Sequence, residues 1–334
     1  MSNKPSIHLW IYNHPFYGIS DQVEFFVAML TQNGYPVTVG RKPSVGALNV
    51  VIENFSPETC DVLIAFCRAT KKRVAVIMTE HLDFDQGEIF IHGAPLWSDN
   101  DYMHPTVQVR RIVSLLDCLP YIRCMLVLGD LPELKNISEM LPGLDVRAIP
   151  FPRLDPVDDA QIAFEPPGDL LFTGVMTDFR AELYAQLKRS EFSVAFPQRF
   201  VSRKARDALN RSAKVILNMP QRKDWRWLSL MRIVAALRCG RATVSLGTCD
   251  QSKIAACTYQ IDISRDDWTS VLRAHVDQWR TLYRTAFEDY AHMADSFERE
   301  RRFPHDLFDF WAMTDRLGHR PAVSRASTEW RATT

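Results

Sequence analysis

The sequence predicts an α/β protein of two domains, each with a parallel β-sheet covered by helices. Short apolar runs of strand length alternate with amphipathic stretches of helical period along most of the chain. A stretch rich in proline and acidic residues, PRLDPVDDAQIAFEPPGD, interrupts this alternation and marks a domain junction. With 334 residues, the chain is long enough for two domains of ordinary size.

The first predicted domain, residues 1–150, opens with a β-α-β-β-α-β order that is typical of a parallel α/β layer. We expect Asp21 to open the first helix. Ser56 is predicted to cap the second helix, with Pro57 at the favoured first helical position. After the fourth strand, IFIHG is either a short additional strand or a loop. The predicted strands are IHLWIY, YPVTVG, LNVVIENF, RVAVIMTE, MLVLG and LDVRAIPFP.

The second predicted domain, residues 151–303, continues the same alternation. Its predicted strands are LLFTG, FSVAFPQ, AKVILNM, RATVSL and YQIDI. Ser202 is placed to cap the helix that follows the second of these strands, and residues 266–302 are predicted to be mostly helical. The last segment, residues 304–334, begins with an amphipathic helix, DLFDFWAMTDRL, and ends in a frayed tail.

Composition excludes several classes of protein. Forty basic and 40 acidic residues give a formal net charge of zero, which argues against bulk nucleic-acid binding. The seven cysteines form no C-x-x-C pair, so we expect reduced, buried thiols rather than disulfides or zinc ligands. The amino terminus lacks the pattern of a signal peptide, and no stretch approaches the roughly 20 apolar residues of a membrane span. We therefore expect a cytoplasmic protein without a transmembrane segment.

Residues 213–246 predict a strand, a polar loop, a helix that ends at Gly240, and a second strand. Ligands of open α/β sheets gather where strands end and helices begin, so Asn218, Ser229 and Arg232 are expected beside a ligand. Ser229 can cap a helix whose first N–H groups attract an anion, and Arg232 is a planar, permanently charged phosphate ligand. In the structural alternative, Ser229 is only a cap and Arg232 pairs with a carboxylate.

This stretch resembles the donor-nucleotide half of GT-B glycosyltransferases, especially the CgeB-like and related bacterial families. Their helix runs roughly S-x-x-R-x-x-E-A-x-A-x-G, and here it stands as S-L-M-R-I-V-A-A-L-R-C-G. We assign Val234 to the place where many retaining members carry a Glu that touches the donor sugar or ribose. The resemblance covers roughly residues 168–263. It implies the GT-B fold, two Rossmann-like domains facing a cleft, with the last helix crossing back to the first domain.

The resemblance also implies roles at two other strand ends of the second domain. In the GT-B pattern the turn that contains Gly174 lies under the donor phosphates, and Arg180 stabilises the leaving nucleoside diphosphate. The loop that contains Phe200 and Val201 is expected to cradle the nucleotide base through backbone contacts and an apolar or aromatic wall, which either Phe200 or Val201 supplies. The alternatives are a plain turn with a solvated Arg180, and a Phe200 that anchors the next helix in the core.

A catalytic base is expected from the strand-end loops of the first domain. His14 and Asp21 flank the first such loop, and Glu80 and His81 end the fourth strand. An inverting transferase needs a carboxylate or imidazole to deprotonate the acceptor hydroxyl, whereas a retaining enzyme has no need of such a base. Each of the four residues also has a structural alternative, with Asp21 as a helix cap and the others as loop residues.

The expected function is transfer of a sugar from a nucleotide-sugar donor to an acceptor hydroxyl, without a metal ion or other cofactor. The expected acceptor is a glycan, a lipid-linked group or a protein; no nucleic acid is expected as a partner, and a homodimer is left open. A second hypothesis is a catalytically silent subunit that binds sugar nucleotides in a glycosylation complex, and a third is an epimerase. P-loop, G-x-G-x-x-G and G-x-S-x-G motifs are absent from the sequence.

Overall fold

The computed structural model describes residues 4–12, 16–53, 56–79, 82–85, 88–91, 94–95, 105–130, 137, 141, 143–158, 160, 162, 164–197, 199 and 201–317. Among the predicted site residues, His14, Glu80, His81 and Phe200 lie outside the described residues, as does the predicted frayed tail. In the described ranges, helices of the length and apolar character needed to cross a membrane are not found.

Strands and helices alternate as the sequence predicts. The strands are β1 (Ile7–Trp10), β2 (Val37–Gly40), β3 (Leu48–Ile52), β4 (Val74–Met78), β5 (Leu82–Asp85), β6 (Glu88–Ile91), β7 (Ala94–Pro95), β8 (Ile122–Leu128), β9 (Asp145–Ile149), β10 (Gly168–Leu171), β11 (Val194–Ala195), β12 (Ala213–Asn218), β13 (Ala242–Leu246) and β14 (Tyr259–Ile261). The helices are α1 (Phe16–Gln32), α2 (Pro57–Thr70), α3 (Pro105–Cys118), α4 (Asp178–Arg189), α5 (Arg203–Arg211), α6 (Leu230–Arg238), α7 (Trp268–Asp277), α8 (Trp279–Glu300) and α9 (His305–Leu317).

The first sheet is parallel and has the order β2-β1-β3-β4-β8-β9. Every residue of β1, β3 and β4 is buried, as expected for strands with helices on both faces. The uncertain segment IFIHG contributes a strand, β6, which pairs antiparallel with β5 and β7 in a separate small sheet.

The second sheet is also parallel and has the order β11-β10-β12-β13-β14. In both sheets the first strand lies between the second and the third, so the winding direction reverses beside it. Loops that leave the two strands at such a switch point go to opposite faces of the sheet and leave a crevice between them. The switch points lie between β1 and β3 in the first sheet and between β10 and β12 in the second.

The helix boundaries confirm some predicted caps and correct one. Ser56 begins α2 with a capping box, and the Ser202 hydroxyl accepts from the backbone N–H of Ala205 at the start of α5. The prediction that Asp21 opens the first helix is wrong, because α1 already begins at Phe16. Ile19 is buried four residues before Val23, so the apolar stripe of this helix starts ahead of Asp21.

The two domains contact one another through helices and one loop. The first helix, α1, packs against α5 and α6 of the second domain. Trp225, in the loop between β12 and α6, is buried in the core of the first domain beside residues such as Trp10 and Val51. Gly129, directly after β8, approaches α6 so closely that an added Cβ would lie 3.0 Å from Cδ1 of Leu230.

The last helix, α9, lies against the first domain. The Tyr35 hydroxyl and Nδ1 of His305 are 2.9 Å apart, and the Tyr35 ring also packs against Phe308. Farther along α9, Asp315 forms a salt bridge with Lys72 of the first domain, with 3.1 Å between the charged atoms. These contacts extend the helix across the surface of the first domain.

Candidate functional site

A cavity of about 650 Å³ lies between the first helix and the carboxyl edge of the second sheet. This volume is in the range of small-molecule sites. The first domain contributes Gly18, Asp21 and Gln22 to its lining. The second domain contributes residues after β10 and β11, on α5, directly before α6 and on α6, namely Thr173, Gly174, Val175, Met176, Phe196, Pro197, Arg199, Val201, Arg206, Asn210, Ser229, Met231, Arg232 and Ala235.

Arg232 connects the two strands of the switch point. Its Nη1 donates to Oδ1 of Asn218 at the end of β12, at 2.9 Å. Its Nη2 donates to the carbonyl oxygen of Thr173 after β10, at 2.7 Å. The guanidinium therefore sits in the crevice where open α/β sheets bind their ligands.

The charge of Arg232 is balanced only in part. Both of its hydrogen bonds go to neutral oxygens, and it forms no salt bridge with any residue that the structure describes. Burial lowers the pKa of Arg232 to about 10, the Asp21 carboxylate opposes this shift, and Arg206 adds to it. The side chain stays protonated at neutral pH, and a partly buried cation of this kind favours an anionic ligand.

Gly174 lies against the same guanidinium. With φ at +155°, its backbone has a conformation that favours glycine. A Cβ at this position would lie 3.0 Å from Cζ of Phe172 and 3.2 Å from Nη2 of Arg232. The glycine thus leaves room for Arg232, and its backbone lines the cavity.

Asn218 and Ser229 are both close to Arg232, but the Ser229 side chain does not cap the helix as predicted. Ser229 precedes α6, yet its hydroxyl makes no capping hydrogen bond. Its backbone N–H donates instead to Oδ1 of Asn218 at 3.4 Å, and its side chain is left to the cavity lining. Within the described part of the chain, Nδ2 of Asn218 is buried without a hydrogen-bond partner.

Arg180 connects two loops beside the cavity and is not part of the cavity lining. Its guanidinium is buried and donates to the carbonyl oxygens of Val175, Met219 and Pro220. It also lies 5.0 Å from the centre of the Phe172 ring, and Arg232 lies 5.2 Å from the same ring. Arg180 thereby holds together the two loops that carry the site. Its predicted contact with the donor stays a prediction.

Of the four predicted bases, Asp21 is the one that the structure describes. It lies on the first-domain side of the cavity and forms a salt bridge with Arg206 of α5. Burial raises the pKa of Asp21 above its usual range, while Arg206 and then Arg238 oppose the shift. A carboxyl with a raised pKa is a stronger base once ionised, which fits the predicted chemistry.

The wall next to β11 is apolar. Phe196 and Val201 line it, and the Phe196 ring stacks on Phe172 with 5.8 Å between centroids. Phe200, the alternative to Val201 as the predicted wall, lies outside the described residues.

Sequence reasoning missed Arg206, Phe172 and Phe196. A signal for Arg206 does exist: it follows the cap residue Ser202 by four positions, about one helical turn, much as Arg232 follows Ser229. The assignment of Val234 to the family's Glu is wrong by one residue. Counted from Ser229, the Glu of the pattern falls on Ala235, which lines the cavity, whereas Val234 is buried in the core.

Comparison with family models gives no match, and comparison with curated proteins gives none. Among solved structures, sucrose-phosphate synthase from Thermosynechococcus elongatus is 11% identical, with a TM-score of 0.45 and coverage of 92% of this chain and 80% of the other. An α,α-trehalose-phosphate synthase from Burkholderia vietnamiensis is 10% identical (TM-score 0.43; coverage 91% and 79%). Spinosyn forosaminyltransferase SpnP is 12% identical (TM-score 0.40; coverage 94% and 100%). These similarities are distant, and the sheet order defines the architecture independently of them: two Rossmann-like α/β domains with a cavity between them.

Proposed function

We propose that the protein is a glycosyltransferase that moves a sugar from a nucleotide-sugar donor to an acceptor hydroxyl. One observation carries the proposal. Arg232 is a partly buried cation that spans the switch point of the second sheet, and among the described residues it is hydrogen-bonded there only to neutral oxygens. The sequence resemblance of residues 213–246 to the donor-nucleotide half of GT-B glycosyltransferases agrees with a phosphate ligand at this position.

The donor would lie with its diphosphate beside Arg232 and Gly174. A guanidinium forms two parallel hydrogen bonds with a phosphate group, which fixes orientation as well as supplying charge. The apolar wall of Phe196 and Val201 offers a surface for the nucleoside base, and the cavity extends from there to Asp21 on the first domain.

The chemistry would be a substitution at the anomeric carbon of the sugar. The acceptor oxygen forms a bond to this carbon, the bond to the diphosphate breaks, and negative charge develops on the departing phosphate. Arg232 is preorganised by Asn218 and Thr173 at the place where this charge develops. We therefore expect transfer without a metal ion.

The acceptor proton requires a base only in an inverting reaction. Asp21 lines the cavity and is our candidate among the described residues, and His14, Glu80 and His81 remain predictions. We expect the reaction to serve glycan biosynthesis in the bacterial cytoplasm, with a glycan, a lipid-linked group or a protein as acceptor.

The test is binding of nucleoside diphosphates to the wild type and two arginine variants. UDP, GDP, ADP, dTDP, CMP and their common sugars are screened by thermal shift, because a ligand of the folded state raises its stability. Isothermal titration then measures the affinity of the one that binds. We expect Arg232→Gln to weaken its binding at least about tenfold, which corresponds to about 1.4 kcal/mol.

The matched control is Arg238→Gln. Arg238 lies on the same helix, but it pairs with Glu24 and Asp207 and does not line the cavity. Equal affinities in wild type and Arg232→Gln would contradict the proposed site. A protein that binds the nucleotide but never releases nucleoside diphosphate from the sugar nucleotide, with any acceptor offered, would be a binding subunit instead.

A further inference from the structure

A second arginine, Arg206, lines the same cavity from a different helix. It lies on α5, one turn after the cap residue Ser202, and its side chain is mostly shielded from solvent. Arg206 and Arg232 are near enough for Arg206 to lower the pKa of Arg232. Two guanidinium groups thus lie on one side of a cavity in which we have placed a diphosphate.

The hydrogen-bonding capacity of Arg206 is used only in part. Its Nη2 donates to the Asp21 carboxylate and, at 3.3 Å, to the Ser20 hydroxyl. In the part of the chain that the structure describes, its Nε is buried with no hydrogen-bond partner. A guanidinium has five N–H donors, and a buried donor without a partner carries a free-energy cost that a ligand oxygen would remove.

The carboxylate that holds Arg206 belongs to the other domain and is itself poorly solvated. Burial raises the pKa of Asp21, and the charged groups that act on it are Arg206, Arg238, Asp207 and Arg232. The diphosphate of a nucleotide sugar has two negative charges against the single charge of a carboxylate. It can also accept two parallel hydrogen bonds from a guanidinium, whereas only Nη2 of Arg206 donates to Asp21 among the described residues, so the diphosphate competes well for Arg206.

We propose that Arg206 is a second diphosphate-binding residue, which exchanges its ion pair with Asp21 for a phosphate group of the nucleotide sugar. This inference rests on the proposed function and adds a second step to it. When the phosphate takes Arg206, the Asp21 carboxylate loses the cation bonded to it and becomes free to accept the proton of an acceptor hydroxyl. Donor binding would then precede the activation of the base.

The exchange makes a prediction that a purely structural ion pair does not make. If the pair only ties the two domains together, Arg206→Gln and Asp21→Asn break the same contact and change nucleotide affinity in the same direction. If Asp21 competes with the phosphate for Arg206, the two substitutions act in opposite directions. We expect Arg206→Gln to bind nucleoside diphosphate about tenfold more weakly and Asp21→Asn to bind it several-fold more tightly.

The experiment is isothermal titration of each variant with the nucleoside diphosphate that the wild type binds, and with inorganic pyrophosphate as the probe of the phosphate contacts alone. In the double variant, the gain from Asp21→Asn should disappear, because the competition needs Arg206. The matched control is Arg203→Gln, which breaks a neighbouring ion pair between the domains, Arg203 with Glu24, and does not line the cavity. We expect it to keep wild-type affinity.

Folding and function can be separated in this design. If Arg206→Gln does not fold, Arg206→Lys keeps the charge without the paired donors and should show a smaller loss of affinity. Affinity changes of the same sign in Arg206→Gln and Asp21→Asn, with Arg232→Gln still impaired, would overturn the exchange and leave the proposed function standing. A wild type that binds none of the nucleotides or pyrophosphate would overturn both.

Discussion

The two sheets have the same winding at their switch points, but the charged side chains at the two points differ in how they are paired. In the first sheet, Glu53 directly follows the third strand and is buried in a two-point ion pair with Arg111 of α3. In the second sheet, Asn218 ends the third strand, and the cation bonded to it, Arg232, has only neutral acceptors in the ranges that the structure describes. The first arrangement is complete without a ligand, and the second leaves positive charge for one.

The two switch points also differ in how far they are covered by side chains. At the first switch point, Trp225 of the second domain is buried in the core of the first domain beside Trp10 of β1 and Val51 of β3. The crevice between β10 and β12 opens into the cavity. A balanced, covered strand end therefore indicates a structural role, and an unbalanced, open one indicates a binding role.

The largest effect is expected from breaking the balanced pair. Glu53→Gln keeps the shape of the side chain but removes the negative charge that Arg111 binds at two points, and the Glu53 side chain is only 3% exposed. Removal of one partner of a buried ion pair costs about 3–5 kcal/mol of unfolding free energy. Denaturant titration measures this loss.

The control for this prediction is Glu165→Gln. Glu165 also has two basic partners, Lys214 and Arg280, but its side chain is 55% exposed. Water screens such a pair, so its loss should cost less than about 1 kcal/mol. Similar costs for Glu53→Gln and Glu165→Gln would show that burial does not distinguish the first switch point.

A smaller effect is expected from the same kind of change at the second sheet. Arg232→Met removes a partly buried cation to which no carboxylate of the described residues is bonded, and it fills most of the space with apolar atoms. The variant should unfold within about 1 kcal/mol of wild type or be more stable, because it no longer desolvates an unpaired charge. Denaturant titration under the same conditions decides. A loss of unfolding free energy as large as that of Glu53→Gln would mean that the main role of Arg232 is to stabilise the fold.

The order of elements and part of the site follow from local sequence. Apolar runs and caps predict both parallel sheets, and a residue at a strand end is brought to the carboxyl edge whatever the details of packing. Asn218, Gly174 and Arg232 meet for this reason. The Thr173 carbonyl oxygen accepts a hydrogen bond from Arg232, and no sequence pattern marks a backbone acceptor of this kind.

The rest of the site depends on contacts between residues far apart in the chain. Asp21 and Arg206 are 185 positions apart, and nothing local to either residue specifies the other. Arg180 could not be distinguished from a phosphate ligand, because its direction toward the carbonyls of Met219 and Pro220 depends on how two loops pack. Trp225 belongs to the predicted polar loop of residues 213–246, yet the structure buries it in the core of the first domain, a placement that depends on how the two domains pack.

The smallest effect is expected at the contact between α9 and the first domain. His305 lies at this contact and is partly exposed, so its protonation should change the stability of the fold only slightly. His305 keeps contact with solvent, yet its ring stacks on Tyr35 with 5.7 Å between centroids, and its Nδ1 is 2.9 Å from the Tyr35 hydroxyl. Desolvation by this packing, and then the Lys4 ammonium, lower the pKa of His305 below 6.5. The neutral ring is therefore favoured in the folded state. Its contribution to stability is present above pH 6.5 and is lost as the pH falls through the lowered folded pKa.

Thermal unfolding between pH 8 and pH 5, a range of about 3 pH units around the ordinary histidine pKa, measures this contribution. His305→Phe keeps a ring on Tyr35 but cannot titrate, so it should lose less stability than wild type on acidification. His292→Gln changes an exposed histidine on α8 and should keep the wild-type slope. Identical pH profiles for wild type and His305→Phe would contradict the expectation. They would mean that the packing of α9 against the first domain does not depend on the protonation state of His305.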